Sequence, residues 1–185
     1  IKSDWLGLWI LLGFESLLFV GLLAVYIHIH LFTEVLWPVT AVSLVLPLAI
    51  FNALVLIISL AMLGQAWLAL KAGRIKSYLT NLGLSLLAGA LFLSMAAFDL
   101  YAHYEAGITP GRWLITDYYY AASGIMLLHL VIGWALLARQ WSRKQDNATD
   151  AGFALHSLEI SGVYWNYLAL VWLIFFPLII LSRLP

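Results

Sequence analysis

The sequence contains no cysteine among its 185 residues. Disulfides, thiol nucleophiles, iron–sulfur clusters, covalently attached haem and thiolate sites for copper or zinc are therefore excluded. Charge is also scarce, since 10% of the residues are Asp, Glu, Lys or Arg, against about a quarter in soluble domains. The nine basic and nine acidic side chains cancel, so no basic field exists to attract a nucleic acid. A soluble domain and a nucleic-acid binder are both excluded.

Apolar side chains are what the sequence has in abundance. They make up 64% of the chain, against roughly 45–50% in soluble proteins. A hydrocarbon core about 30 Å thick is crossed by about 20 apolar residues in helix, and five such runs occur without the alternation of barrel strands. We therefore predict an all-α polytopic membrane protein with a single transmembrane domain over residues 1–185. Its helices are expected at about 5–26, 41–70, 79–101, 116–138 and 153–181.

Basic side chains between the helices concentrate in two loops, which join the second helix to the third and the fourth to the fifth. They are Lys71, Arg74, Lys76, Arg139, Arg143 and Lys144. By the positive-inside rule these loops face the cytoplasm or the matrix, which places the N-terminus inside and the C-terminus outside. The first apolar run is too long for a signal peptide and no cleavage motif follows it, so we interpret it as a permanent span.

A few polar side chains fall within the apolar runs, where they are costly and usually face protein or water. They are Glu15, Asp99, His129 and Glu159, with the neutral Asn52 and Asn166. Glu15 and His129 lie at similar depths of about 13–15 Å from the inner surface, at 1.5 Å of rise per residue. They could hydrogen-bond across a helix interface or through water. The alternative is that Glu15 is protonated and bonded to a backbone carbonyl, and that His129 is a packed core residue.

Asp99 and Glu159 lie near helix ends and are interpreted as partly hydrated interfacial charges, with a functional role as the alternative. Aromatic side chains occupy the same zones, as membrane-interface anchors do. They include Trp5, Trp37, Tyr101, Tyr104, Trp113, Tyr118, Tyr119, Tyr120 and Trp141.

Small residues recur at intervals that let helices approach closely. The pairs are Ser85 with Gly89 and Ala90 with Ser94, and Gly7, Gly13, Gly124 and Gly133 suit the same role. The pattern predicts a compact bundle.

Two self-contained functions remain open from the residues alone. A membrane b-type cytochrome needs paired histidines, and of five histidines only His129 is deep, although His28 and His103 could meet on the outer side. A small transporter would use interrupted helices, for which Pro47 and Pro177 are weak signals. The sequence contains no HExxH, so metal-dependent hydrolysis is disfavoured.

The fourth helix carries a motif. Its residues 119–133, YYAASGIMLLHLVIG, resemble FFxxTGFHGLHVxxG of subunit III of haem-copper oxidases. Ser123 and Gly124 occupy the positions of Thr-Gly in this motif. His129 occupies the position of the second histidine, and Gly133 that of the closing glycine.

The other helices carry matching segments of the same family. Glu159, Tyr164-Trp165 and Val171-Trp172 resemble E-x4-YWHFVDVVW, and Gly7, Trp9, Glu15 and Phe19 resemble GMW-x-F-x-x-SE-x-x-x-F. Asp99 stands where the family commonly has the glutamate of Q-x-x-EY.

The sequence also departs from these motifs. Met126 replaces the first histidine of the helix-four motif, Ala96 the glutamine of Q-x-x-EY, and Asn166 and Ala169 the histidine and aspartate of YWHFVD. The chain is similar to the divergent five-helix form of the family, which includes relatives associated with nitric oxide reductases.

The resemblance implies an accessory, non-redox subunit that packs against catalytic subunit I and other subunits of a respiratory complex. Such a bundle is split by a V-shaped cleft that binds phospholipid, and haem and copper reside in the partner. It is expected to stabilise the catalytic subunit and support proton uptake in a bacterial inner membrane, with an accessory subunit of a nitric oxide reductase as the alternative. No catalytic, cofactor or metal residues are expected in the chain. The structural or lipid-cleft candidates are Glu15, His129, Asp99, Glu159 and Asn166, and Glu15 should either orient lipid or hold His129.

Overall fold

The computed structural model describes residues 2–32, 42–142 and 148–181, and within these ranges the chain is helical and contains no strand. The elements are α1 (Lys2–Phe32), α2 (Val42–Lys71), α3 (Ile75–Glu105), α4 (Leu114–Trp141) and α5 (Ala148–Leu181). Each is long and apolar enough to cross a membrane. The prediction of an all-α protein with five membrane-spanning helices is confirmed.

The helices extend beyond the predicted boundaries. α1 continues to Phe32 rather than ending near 26, α3 begins at Ile75 rather than 79, and α5 begins at Ala148 rather than 153. The reason is physical: hydropathy marks only the stretch that sits in hydrocarbon, whereas the backbone hydrogen-bond ladder continues into the headgroup region.

The bundle is organised around a helical hairpin. α2 and α3 are joined by a tight turn at Gly73, whose φ of 70° is the left-handed conformation that favours glycine. α4 packs on α3 and on α5, while α5 also packs on α2. α1, which carries Glu15, lies against both α5 and α4, and α4 carries His129.

Two serines fix the register of the hairpin. Ser59 donates to the backbone oxygen of Ser85 at 2.9 Å, and Ser85 donates to the backbone oxygen of Ser59 at 2.8 Å. Such reciprocal bonds are possible only where the helices approach closely, as predicted for Ser85. Ser94 of the predicted pair Ala90 and Ser94 has no packing role within this bundle, because it is exposed and donates to the backbone oxygen of Ala90 on its own helix.

Two of the predicted packing glycines hold α3, α4 and α5 together. A Cβ atom at Gly89 would lie 2.9 Å from Cδ1 of Trp134, and one at Gly133 would lie 3.0 Å from Cδ1 of Leu168. Trp165 is fully buried and lies against both glycines. Gly7, Gly13 and Gly124 face open space, so their predicted packing role within this bundle is wrong.

The surface of the bundle is apolar. Large exposed hydrophobic side chains occur on all five helices, including Trp9, Phe51, Leu87, Leu128 and Leu170. A surface of this kind matches hydrocarbon rather than water.

Candidate functional site

Three helices contribute to a buried polar group that we call the Glu15 cluster: Glu15, His129 and Tyr164. Glu15 on α1 is 6% exposed. The hydroxyl of Tyr164 on α5 donates to Glu15 Oε1 at 2.7 Å. Nε2 of His129 on α4 lies 4.0 Å from the same oxygen, beyond a direct hydrogen bond. Glu15 and His129, predicted to share a depth, therefore lie close together without a direct hydrogen bond, and Tyr164 is the direct partner of Glu15.

The imidazole of His129 is held from its other side. Nδ1 lies 2.7 Å from the backbone oxygen of Ile125, one turn earlier on α4. A carbonyl oxygen can only accept, so Nδ1 carries hydrogen and Nε2 faces Glu15. The ring of Phe19 packs edge-on against the imidazole, with the ring centroids 5.7 Å apart. His129 is thus both a packed side chain and a neighbour of Glu15.

The carboxylate of Glu15 points into the bundle. Its second oxygen, Oε2, is buried and has no hydrogen-bond partner among the residues that the structure describes. An unsatisfied buried oxygen of this kind is energetically costly. Glu15 thus lies inside the bundle beside His129 and Tyr164 rather than on its surface.

Sequence reasoning did not identify Tyr164 as a partner of Glu15, although its depth in the membrane pointed to such a contact. It lies eleven residues from the predicted inner end of α5 at 153, or about 16 Å, which matches the depth of Glu15. A tyrosine in a membrane sequence is easily interpreted as an interface anchor, and depth alone does not show which way its hydroxyl points.

A cleft of about 300 Å³ lies between α1, α4 and α5 near the start of α1 and leads to Tyr164. Its polar lining consists of Asp4, Arg139, Gln140, Ser157, Ser161 and Tyr164. His156 Nε2 lies 3.1 Å from Asp4 Oδ2 at the same end of the bundle. Tyr164 therefore stands between a cleft whose walls can hydrogen-bond water and the buried carboxylate of Glu15.

A second buried group, the Asp99 cluster, consists of Asp99, His103 and Tyr119. Asp99 is 9% exposed, and its Oδ2 accepts from the Tyr119 hydroxyl at 2.5 Å. Nδ1 of His103 lies 2.7 Å from the backbone oxygen of Asp99 and 3.6 Å from its Oδ1. The interpretation of Asp99 as a hydrated interfacial charge is therefore wrong. A position near a helix end determines the depth of a side chain but not the direction in which it points. The side chain of Asp99 points into the bundle.

Two of the tyrosines interpreted as interface anchors are also internal. Tyr119 is buried in the Asp99 cluster, and the buried Tyr118 donates to the backbone oxygen of Leu22 on α1 at 2.9 Å. Tyr101 and Tyr104 are exposed as anchors should be.

The two remaining candidates lie outside both clusters. Glu159 is half-buried, and its Oε1 accepts from the indole nitrogen of Trp67 on α2 at 3.2 Å. Asn166 is exposed and donates to the backbone oxygen of Gly162 of its own helix at 2.8 Å.

The polar groups do not form a metal-binding set. Within residues 2–32, 42–142 and 148–181, no three His, Cys, Asp or Glu side chains are placed to hold one ion. Nδ1 of His129 is committed to Ile125, and Nε2 of His129 faces Glu15. A haem ligated by His129 would need the Glu15 cluster to come apart.

The Tyr164 hydroxyl gives a direct test of this geometry. We expect Tyr164→Phe to lower the free energy of unfolding in detergent by about 1–3 kcal/mol, because the carboxylate of Glu15 loses its donor. Tyr104→Phe removes a hydroxyl from an exposed tyrosine and should change it by less than about 0.5 kcal/mol. Equal effects of the two substitutions in thermal or denaturant unfolding would contradict the assignment.

Comparison with known proteins assigns the family. The family model described as cytochrome c oxidase subunit III matches residues 3–182. The chain belongs to the cytochrome c oxidase subunit III family. It is 29% identical over 147 residues to the probable cytochrome c oxidase subunit 3 of Rickettsia felis. The aligned region covers 78% of this chain and 52% of that protein. The chain thus spans about half the length of this relative.

Two further subunit III relatives are aligned over nearly the whole chain. The cytochrome c oxidase subunit 3 of Thermostichus vulcanus is 27% identical over 181 residues, covering 96% of this chain and 87% of the relative. That of a Synechocystis strain is 25% identical over 176 residues, covering 95% and 74%. In this member of the subunit III family, the motif residues Glu15, His129 and Tyr164 come from three helices and meet in one cluster.

Proposed function

We propose that the chain is the accessory, non-redox subunit III of a respiratory haem-copper oxidase, where it stabilises the catalytic subunit and supports proton uptake and turnover. The observation that carries the proposal is the family match over residues 3–182. The relatives described above are named for cytochrome c oxidase, which favours an oxygen-reducing complex over a nitric oxide reductase.

Haem and copper belong, in this proposal, to the catalytic subunit I that the chain packs against. The exposed apolar faces of the helices meet that partner, other subunits of the complex and membrane phospholipid. The membrane is the bacterial inner membrane, with the N-terminus in the cytoplasm, as the basic loops indicate.

The Glu15 cluster has a mechanical and a protonic role in this proposal. The Tyr164 hydrogen bond ties α1 to α5, with His129 of α4 beside it, and this arrangement maintains the shape of the partner-facing surface. The cleft that ends at Tyr164 lies on the cytoplasmic side in this orientation. Water in that cleft can exchange protons with Glu15 across the Tyr164 hydroxyl.

The proposal is tested by removing the chain from cells and resupplying it. Membranes that lack it should consume oxygen through the haem-copper enzyme several-fold more slowly, or lose the enzyme's activity during turnover. Re-expression of the chain should restore the rate. Equal rates and equal stability of the enzyme in both membranes would contradict the accessory role.

Glu15→Gln tests the proposed role of Glu15 in proton exchange separately from its role in packing. Glutamine keeps an oxygen that accepts from Tyr164 but cannot ionise. We expect the isolated chain to fold with little change, while assembly or turnover of the complex decreases measurably. Full retention of both in subunit co-purification and oxygen-consumption assays would exclude the functional role of Glu15.

A further inference from the structure

A small pocket inside the bundle is bordered by residues of all five helices. Its volume is about 50 Å³. A water molecule occupies about 30 Å³ in the liquid, so the pocket has room for about two water molecules and is too small for a lipid. Most of its wall is apolar and includes Phe19, whose ring packs against His129 of the Glu15 cluster.

One polar atom on the wall of this pocket lacks a hydrogen-bond donor. Asn52 on α2 lines the pocket and is 4% exposed. Its Oδ1 is buried and accepts no hydrogen bond from any residue that the structure describes. Buried amide oxygens are nearly always bonded to protein or to ordered water. Asn52 therefore calls for a donor that is small enough to enter the pocket.

Further polar side chains on the wall can bond to water. Ser123 on α4 lines the pocket, and so do Asp99 and Tyr119 of the Asp99 cluster. The Tyr119 hydroxyl donates to Asp99, but a carboxylate can accept several hydrogen bonds. Buried water typically makes about three hydrogen bonds, which the wall and a second water molecule can provide. The pocket thus offers acceptors for water at both Asn52 and Asp99.

The separation of Asn52 and Asp99 matches a short chain of water. The bonds between Ser59 and Ser85 fix the register of α2 and α3. By that register Asp99 lies about 10 Å further along the bundle axis than Asn52. Side chains tilt toward the N-terminus of their helix, so in this hairpin the two side chains tilt toward each other. Two water molecules in series, with three hydrogen bonds of about 2.8 Å, span about 8 Å.

We propose that this pocket is a water-binding site in which about two water molecules bridge Asn52 Oδ1 and the carboxylate of Asp99. One water donates to Asn52 and the other donates to Asp99, while Ser123 bonds to the chain from α4. The bridge connects α2 with the Asp99 cluster on α3 and α4. It hydrates Asp99 from inside the bundle rather than from the headgroups, and Asn52 is the positioning residue for this water.

X-ray radiolysis of the full chain, purified with the subunits that accompany it, tests for this water. Hydroxyl radicals formed from bound water oxidise the side chains beside it, and methionine is readily oxidised. Met126 is buried and lines the pocket. We expect mass spectrometry to show that Met126 is oxidised several-fold faster in the unmodified protein than in Asn52→Leu. Met62 is half-buried and does not line the pocket, so its oxidation rate should be equal in both proteins.

Matched variants separate loss of water from loss of folding. Asn166→Leu removes an amide from the exposed face of α5 and should leave the oxidation of Met126 unchanged. Ala96→Val keeps Asn52 but adds two methyl groups to the pocket wall, and it should slow the oxidation of Met126 as Asn52→Leu does. Ala97→Val, at the exposed neighbouring position, should not. Equal oxidation of Met126 in the unmodified protein and in both pocket variants would overturn the proposal.

A high-resolution electron cryo-microscopy map of the complex identifies the occupant directly. Density for a water molecule within about 3.2 Å of Asn52 Oδ1, which is absent from the map of Asn52→Leu, supports the proposal. Density for a lipid acyl chain in the pocket would contradict it. So would a map that resolves water elsewhere in the protein and shows none beside Asn52.

Discussion

Trp165→Ala is expected to lower the free energy of unfolding of the bundle by about 3–5 kcal/mol. The indole is fully buried and packs against Gly89 on α3 and Gly133 on α4, so its removal leaves a cavity where three helices meet. In a bilayer the hydrophobic effect does not drive helix association, and packing of this kind is the main stabilising contribution. Denaturant unfolding of the purified chain in detergent measures the loss.

Trp9→Ala is the matched control for that measurement. Trp9 is 62% exposed on α1, so its truncation removes surface area without opening an internal cavity. A loss below about 1 kcal/mol is expected there. If the two substitutions destabilise the chain equally, Trp165 does not hold the three helices together.

Gly133→Leu is expected to prevent normal packing of α4 on α5. Even the first added carbon would lie 3.0 Å from Leu168 and 3.1 Å from Trp165, and three further carbons have no space. Overpacking a core costs about 1–3 kcal/mol and occasionally more, and we expect the upper part of this range or beyond. The yield of folded, monodisperse protein on size-exclusion chromatography should decrease accordingly.

Gly124→Leu provides the comparison on the same helix. A Cβ atom at Gly124 meets nothing within 4 Å, and the residue is exposed. The isolated chain should tolerate this substitution, and its helix propensity should even improve. Similar yields of the two leucine variants would show that α4 packs in a different orientation.

The five helices were predictable because each leaves a strong signal in the sequence. A run of about 20 apolar residues has few structural alternatives, since every backbone polar group in lipid must be satisfied within the helix. The ends were less predictable. α1 and α3 extend further than their apolar runs, because a helix needs no hydrophobicity once it has left the hydrocarbon.

The polar clusters were predictable in depth but not in direction. Counting residues from the helix ends predicts the same depth for Glu15 and His129, and the structure shows that the two side chains are close together. The same count could not show that Tyr164 is the direct donor to Glu15, or that Asp99 faces Tyr119 rather than headgroups. Depth follows from the rise per residue, whereas the face of a helix depends on packing partners that are distant in sequence.

The glycines show the same difference between local and tertiary information. Gly124 and Gly133 both belong to the motif on α4, and spacing alone gave them equal packing roles. The structure separates them, because Gly133 faces α5 and Gly124 faces outward.

The central claim is that this chain works as a subunit of a haem-copper oxidase. It is tested most directly by purifying the chain through a tag in gentle detergent and examining what accompanies it by mass spectrometry and visible absorption. A large subunit bearing haem and copper is expected to co-purify, and the absorption is expected to belong to that subunit. A chain that purifies alone and colourless from membranes with active oxidase, or that carries its own haem, would contradict the account.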